Sequence, residues 1–139
     1  MDENTERSVD LVRLALGRYQ VTNSRGGTLT IGAGDDTFTP VELLLAAIAG
    51  CSAIDVDHII AKRAEPERFT ARIRGDKIRD EQGNRMTDLQ LSFDLGFADD
   101  DRGRAAADMV PKAARISHDR LCTVSRTVEV GTPVEIRLT

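Results

Sequence analysis

The stretch Thr39-Pro40-Val41-Glu42 decides how this chain is read. Thr39 has a side-chain oxygen that can cap a helix, Pro40 suits the first helical position, and Glu42 falls three residues after the cap. From there to about Arg63 only Gly50 interrupts a helical reading. Such a helix is roughly 35 Å long at about 1.5 Å per residue. Its first half, Val41 to Ala49, is apolar nearly all round, which predicts burial on every side.

Working outward, short segments alternate on both sides of this helix. Before it, Val12, Leu14 and Leu16, then Tyr19 and Val21, then Leu29 and Ile31 alternate with smaller or polar neighbours. Gly17 and Asn23-Ser24-Arg25-Gly26-Gly27 separate these segments as turns, so a three-stranded meander is predicted. After it, Glu65-Pro66 ends the helix. Phe69, Ala71 and Ile73 form one alternating segment, and Leu89, Leu91, Phe93 and Leu95 form another. The polar stretch Arg79 to Arg85 is expected to join them as a hairpin. Arg102 to His118 reads as a second long helix kinked at Pro111. Cys122 to Val130 reads as a short helix or strand, and Val134, Ile136 and Leu138 as a closing strand. Strands that cluster rather than alternate with helices define an α+β class with antiparallel pairing. Residues 1 to 8 read as a frayed tail and 9 to 139 as a single domain. An all-round apolar helix outstrips the cover that one small chain supplies. Burial alone therefore suggests a homodimer.

The chain has 139 residues, 40% apolar and 30% charged, with 19 Lys plus Arg against 23 Asp plus Glu. A weakly acidic balance excludes non-specific nucleic-acid binding as an expectation. One Tyr and no Trp leave little for stacking on bases or sugars. The most apolar run, Leu43 to Ile54, falls short of the ~20 residues of a membrane span. The polar, acidic start does not resemble a signal peptide, so the expected compartment is the cytoplasm, where thiols stay reduced.

The chain contains two cysteines. Cys51, Asp55, His58 and Lys62 share one helix face by their spacing of four, three and four. His58 lies about 10 Å along the axis from Cys51, too far to serve it as a base. Asp55 is nearer, but its negative charge works against a thiolate. Activation of Cys51 must then come from a cation elsewhere, with Arg18, Arg25, Arg120 and Arg126 as candidates. Cys51 is either a small core residue or a reactive thiol. Cys122 is either structural or a resolving thiol. Asp55, Asp57 and His58 make only a weak metal signal, and no metal or cofactor is expected.

Phe38 to Val56, around Gly50-Cys51-Ser52, closely resembles the osmotically inducible protein C and organic hydroperoxide resistance family. Ser117-His118-Asp119-Arg120-Leu121-Cys122-Thr123-Val124-Ser125-Arg126-Thr127 resembles that family's second cysteine motif. The resemblance runs from about Val9 across nearly the whole chain. It implies antiparallel sheets wrapped around two long central helices in an intertwined homodimer. It also implies a thiol peroxidase in oxidative-stress defence. Cys51 would attack a small organic hydroperoxide, and Cys122 would resolve the sulfenic acid as a disulfide. An external dithiol, such as a lipoyl protein, would then reduce that disulfide. The pair should therefore approach within roughly 10 Å in the reduced fold, since a disulfide needs Cα atoms about 4.4–6.8 Å apart. Arg18, in Gly17-Arg18-Tyr19, matches the family's activating arginine. The family's partner glutamate, ten places before the first cysteine, falls here on Val41, with Glu42 one residue beyond it. The same fold would also serve a non-catalytic protein that holds an apolar ligand in the dimer cleft, or a redox-regulatory domain with little turnover.

Overall fold

The structure is a computed structural model and describes residues 5–139. The chain falls into two compact units, Met1–Leu44 and Leu45–Thr139. The part of the expected tail over residues 1–4 lies outside the described residues; residues 5–8 are exposed and precede the first strand.

The first unit is the predicted meander. Strands β1 (Val9–Ala15), β2 (Arg18–Asn23) and β3 (Thr28–Gly32) form one antiparallel sheet in the order β1-β2-β3. Gly17 takes a φ of 72° in the first turn, which glycine adopts without steric cost. In the second turn the Asn23 side chain accepts from the Arg25 and Gly27 amides, both at 2.9 Å. The sheet buries little of its own surface. Val9, Leu11, Val12 and Leu14 are all more than half exposed.

Helix α1 (Pro40–Ala61) starts as its capping residues dictate. Glu42 Oε1 accepts from the Thr39 amide at 2.9 Å, and Thr39 Oγ1 accepts from the Glu42 amide at 3.1 Å. This reciprocal box satisfies two helix-end donors. The expectation of burial on all sides is not met within one chain. Between Val41 and Ala49 only Ile48 is buried. The buried residues are Ile48, Ser52, Val56 and Ile60, four apart, which is a single stripe. At 22 residues α1 is long and apolar enough by composition to cross a membrane, which corrects the sequence estimate based on a twelve-residue run. Its second half carries Asp55 and Asp57 and packs into the core of its own unit.

That core joins α1 to a hairpin and a second helix. Strands β4 (Arg68–Asp80) and β5 (Gly83–Gly96) pair antiparallel with Phe69 opposite Leu95 and Ala71 opposite Phe93. The polar stretch from Arg79 is strand rather than loop, and only Glu81 and Gln82 form the turn. Charge pairing across the ribbon accounts for this, with Arg85 Nε 2.7 Å from Asp80 Oδ2. Helix α2 (Asp101–Ile116) is capped by Asp100, whose side chain accepts from the Gly103 amide at 2.7 Å. Glycine at 103 is required by packing, because a Cβ there would strike the Ala98 carbonyl. Val56, Ile60 and Ala113 are fully buried, with Phe69, Phe93, Leu95, Phe97 and Val110 packed around them. The Phe69 and Phe93 rings meet edge-on, 6.1 Å between centroids.

After α2 the chain widens into a five-residue π-helical turn, Ser117–Leu121. Helix α3 (Thr123–Val130) follows and stops at Gly131, whose φ of 71° is left-handed. The predicted closing strand does not form. Val134, Ile136 and Leu138 are 88%, 82% and 93% exposed, and the alternating segment has no ladder partner among the described residues.

Ile60 is fully buried at the centre of this core. Ile60→Ala should therefore cost about 2–5 kcal/mol in urea-induced unfolding. A loss below about 1 kcal/mol would show that the α1–α2–hairpin contact is not the core.

Candidate functional site

The second unit brings the two cysteines together. Cys51 lies on α1 beside the buried Ser52 and is partly accessible. Cys122 is 2% exposed and is the N-cap of α3. The two thiols are near enough for each to act on the other's ionisation. Both are free thiols.

Three features hold this arrangement. Ser117, which has no solvent access, donates its hydroxyl to Asp55 Oδ2 at 2.8 Å and meets Ser52 Oγ at 3.1 Å. The Ser117 carbonyl then accepts from the Cys122 amide at 2.8 Å, closing the π turn. Finally, Cys122 Sγ accepts from the Ser125 amide at 3.4 Å and is hydrogen-bonded to Ser125 Oγ at 3.2 Å. One serine thus ties the second cysteine motif to α1, and another fixes the sulfur at the start of α3.

The electrostatics of the two sulfurs differ. Burial pushes the Cys51 thiol above its ordinary range. The Val124 amide opposes that, the neighbouring Cys122 adds to it, and the Thr123 amide opposes it again. For Cys122, burial acts upward but is outweighed. The Ser125 hydroxyl, the Ser125 amide and the Cys51 thiol together bring it below its ordinary value, against the charge of Asp55. The first-turn amides of α3 therefore face both sulfurs, as the positive end of a helix allows. No sequence motif announces backbone amides. The roles of Ser117 and Ser125 are not legible either: serine is common, Ser117 acts on residues 65 and 62 positions away, and Ser125 serves Cys122 through a local helix cap.

The other expected residues have partners of their own. Arg18, on β2, donates to the Ala33 carbonyl at 2.7 Å and sits 3.8 Å from Asp36. Glu42 serves the α1 cap. Both belong to the first unit. Arg25 lies in the β2–β3 turn. Arg120 and Arg126 line a cavity of about 280 Å³ that Cys122 also lines. Among the described residues no three His, Cys, Asp or Glu side chains converge as a metal site requires.

A larger cavity of about 390 Å³ opens between α1, the hairpin and the second cysteine motif. Ile73, Leu89, Leu91 and Phe93 give it an apolar wall, and Ser52 and Ser125 bring it to the thiols' neighbours. His118 and Glu129 stand on its polar side, 2.9 Å apart, and His118 also meets Asp119 at 3.0 Å.

Residues 32–137 match the OsmC-like protein family, and this chain belongs to it. An uncharacterised protein of Mycobacterium tuberculosis is 28% identical over 130 residues, covering 91% of each chain. A hypothetical protein of Aquifex aeolicus shares the fold at a TM-score of 0.74 and 21% identity, over 93% of this chain and 91% of that one. The organic hydroperoxide resistance protein OhrB of Bacillus subtilis does so at 0.59 and 18% identity, over 91% and 92%. These likenesses carry the expected α+β fold with antiparallel sheets.

The carboxylates of Asp119 and Glu129 raise the His118 pKa above its ordinary 6.5. A group whose folded pKa is raised stabilises the fold fully below its unfolded pKa and loses that effect as pH rises through the folded one. His118→Gln should therefore lower Tm at pH 6 and change it little at pH 9, with the size limited by the exposure of the pair. An equal Tm loss at both pH values would exclude a charge contribution.

Proposed function

We propose that this protein is a cysteine-based reductase of organic hydroperoxides, acting in peroxide defence. The observation that carries this reading is that Cys51 and Cys122, the N-cap of α3, are near enough to act on each other's ionisation beside a cavity with an apolar wall. The likeness to a hydroperoxide resistance protein supports it. In the proposed cycle the Cys51 thiolate attacks the distal peroxide oxygen. An S–O bond forms, the O–O bond breaks, and the alkoxide leaves as an alcohol after taking a proton. Cys122 then attacks the sulfenic sulfur, forming the disulfide with loss of water. An external dithiol, such as a lipoyl protein, returns both thiols to the reduced form. No resident cofactor takes part, and a reducing cytoplasm suits the cycle. Arg18 is the proposed counter-charge to the Cys51 thiolate, with Glu42 as its proposed carboxylate partner.

A second copy of the chain is part of this proposal. The bare residues of β1, the uncovered side of α1 and the exposed segment at Val134–Leu138 leave apolar surface uncovered among the described residues. A self-association interface burying more than about 2,000 Å² would cover it. Light scattering should give twice the chain mass of 15.2 kDa. A folded monomer at micromolar concentration would refute the dimer.

The redox-regulatory reading with little turnover is favoured by one observation, the upward push of burial on Cys51. An alkyl hydroperoxide added to the reduced protein should consume both thiols and yield one internal disulfide. A dithiol should then restore them through many cycles. Loss of both thiols without cycling would favour the regulatory reading. No loss of thiols would leave a binding protein with an apolar ligand.

A further inference from the structure

We propose that a bulge in the β4–β5 ribbon sets the width of the larger cavity, and with it the bulk of the organic group on the peroxide that reaches the thiols. This deepens the hydroperoxide reading and rests on it. The ribbon's register breaks at one place. Arg74 pairs with Gln90 and Asp76 with Thr87, so Gly75 alone stands opposite Asp88 and Leu89. Two residues against one make a β-bulge, a device that re-aims side chains beside sites. Asp88 takes a φ of 54°, in the left-handed region that aspartate tolerates better than most residues.

The bulge is clamped from both strands. Arg74 Nη1 donates to the Asp88 carbonyl and to Asp88 Oδ2, both at 3.0 Å. Its Nη2 donates to Asp76 Oδ1 at 2.7 Å, beyond the bulge on the same strand. Gln90 Nε2 donates to Asp88 Oδ1 at 3.1 Å. Alternation runs on from this fixed point, and Leu89, Leu91 and Phe93 line the cavity together with Ile73 of β4.

Gly75 lets Leu89 lie back. A Cβ at position 75 would fall 2.6 Å from Leu89 Cδ2, 3.1 Å from Met86 Cε and 3.2 Å from the Thr87 carbonyl oxygen. The tips of Leu89 and Met86 thus fill the room that a side chain at 75 would take. This glycine serves space rather than backbone freedom, since its φ is not positive. Ser52 and Ser125 line the same cavity of about 390 Å³. Ser52 follows Cys51 in the chain, and Ser125 is bonded to the Cys122 sulfur. A group resting on Leu89 therefore shares one space with the neighbours of both thiols. Packed walls yield little, so moving the Leu89 tip by a methyl's width changes which groups fit.

Gly75→Ala is the test, because the added methyl must push the Leu89 tip off the ribbon. Oxidation of Cys51 is timed with tert-butyl hydroperoxide and with cumene hydroperoxide, which carries a phenyl group in place of one methyl. The ratio of the cumene rate to the tert-butyl rate should fall about tenfold or more, the scale on which an apolar pocket discriminates by size. Adding Leu89→Ala to Gly75→Ala should return the ratio to within about threefold of wild type, as expected for two changes coupled by contact. A ratio that Gly75→Ala leaves unchanged overturns the proposal, whether both rates hold or both fall together. A double variant that stays selective also overturns it, since Leu89 is then not the group displaced. Should Gly75→Ala fail to fold, Leu89→Phe narrows the cavity from the same wall, and the same fall in the ratio is expected. If the wild-type thiols survive both peroxides, the hydroperoxide reading fails, and the width is read instead with Nile red, a neutral apolar dye. Binding about tenfold weaker in Gly75→Ala and regained in the double variant upholds the role of the bulge. Equal binding, or none to wild type, overturns it.

Discussion

The hydroxyl of Ser117 is the contact on which the rest of the second unit depends. It is sealed from water and shared between Ser52 and Asp55, both on α1. A buried hydroxyl without partners costs about 1–3 kcal/mol, so this residue is satisfied only where α1 presents those two oxygens. That requirement fixes the π turn, and the turn fixes where α3 begins. The amides at the start of α3 then come to rest over the sulfurs. The alignment of Cys51 with Cys122 is thus set by a serine that touches neither sulfur in the hydrogen bonds seen here.

The two sulfurs share one helix end but receive it differently. Cys51 faces the Thr123 and Val124 amides while paying for burial with a raised pKa. Cys122 takes the Ser125 amide and hydroxyl and ends lower. A cation elsewhere was the only source of activation that the sequence offered. The fold adds backbone dipoles, which are fixed in place and do not depend on a long side chain adopting one rotamer.

What the sequence disclosed follows from the range of each interaction. The Thr39–Glu42 cap is local, and both of its hydrogen bonds form. The alternation in Phe69–Ile73 and Leu89–Leu95 is read within a few residues, and those segments pair with each other. Val134, Ile136 and Leu138 alternate equally well, yet no strand forms, because alternation describes a ribbon's two faces and says nothing of its neighbour. Val41 to Ala49 reads as wholly buried for a similar reason. Apolar composition records what a surface requires and not whether one chain supplies it. At the site, the paired cysteine motifs were legible, whereas Ser117, Ser125 and the amides of Thr123 and Val124 were not. Ser117 finds its partners only where the π turn meets α1, and Ser125 and the amides take their roles only once α3 forms with Cys122 as its cap.

The long stretch of chain between Cys51 and Cys122 gives their nearness one more consequence. A bond between these sulfurs closes a loop that contains β4, β5, α2 and the π turn. By chain-entropy reckoning, a crosslink of that span removes roughly 4 kcal/mol of freedom from the unfolded ensemble. A protein oxidised in this way would resist unfolding more than the reduced one, and reduction would give that resistance back. Oxidant exposure would thus leave its mark on the lifetime of the folded chain as well as on its chemistry.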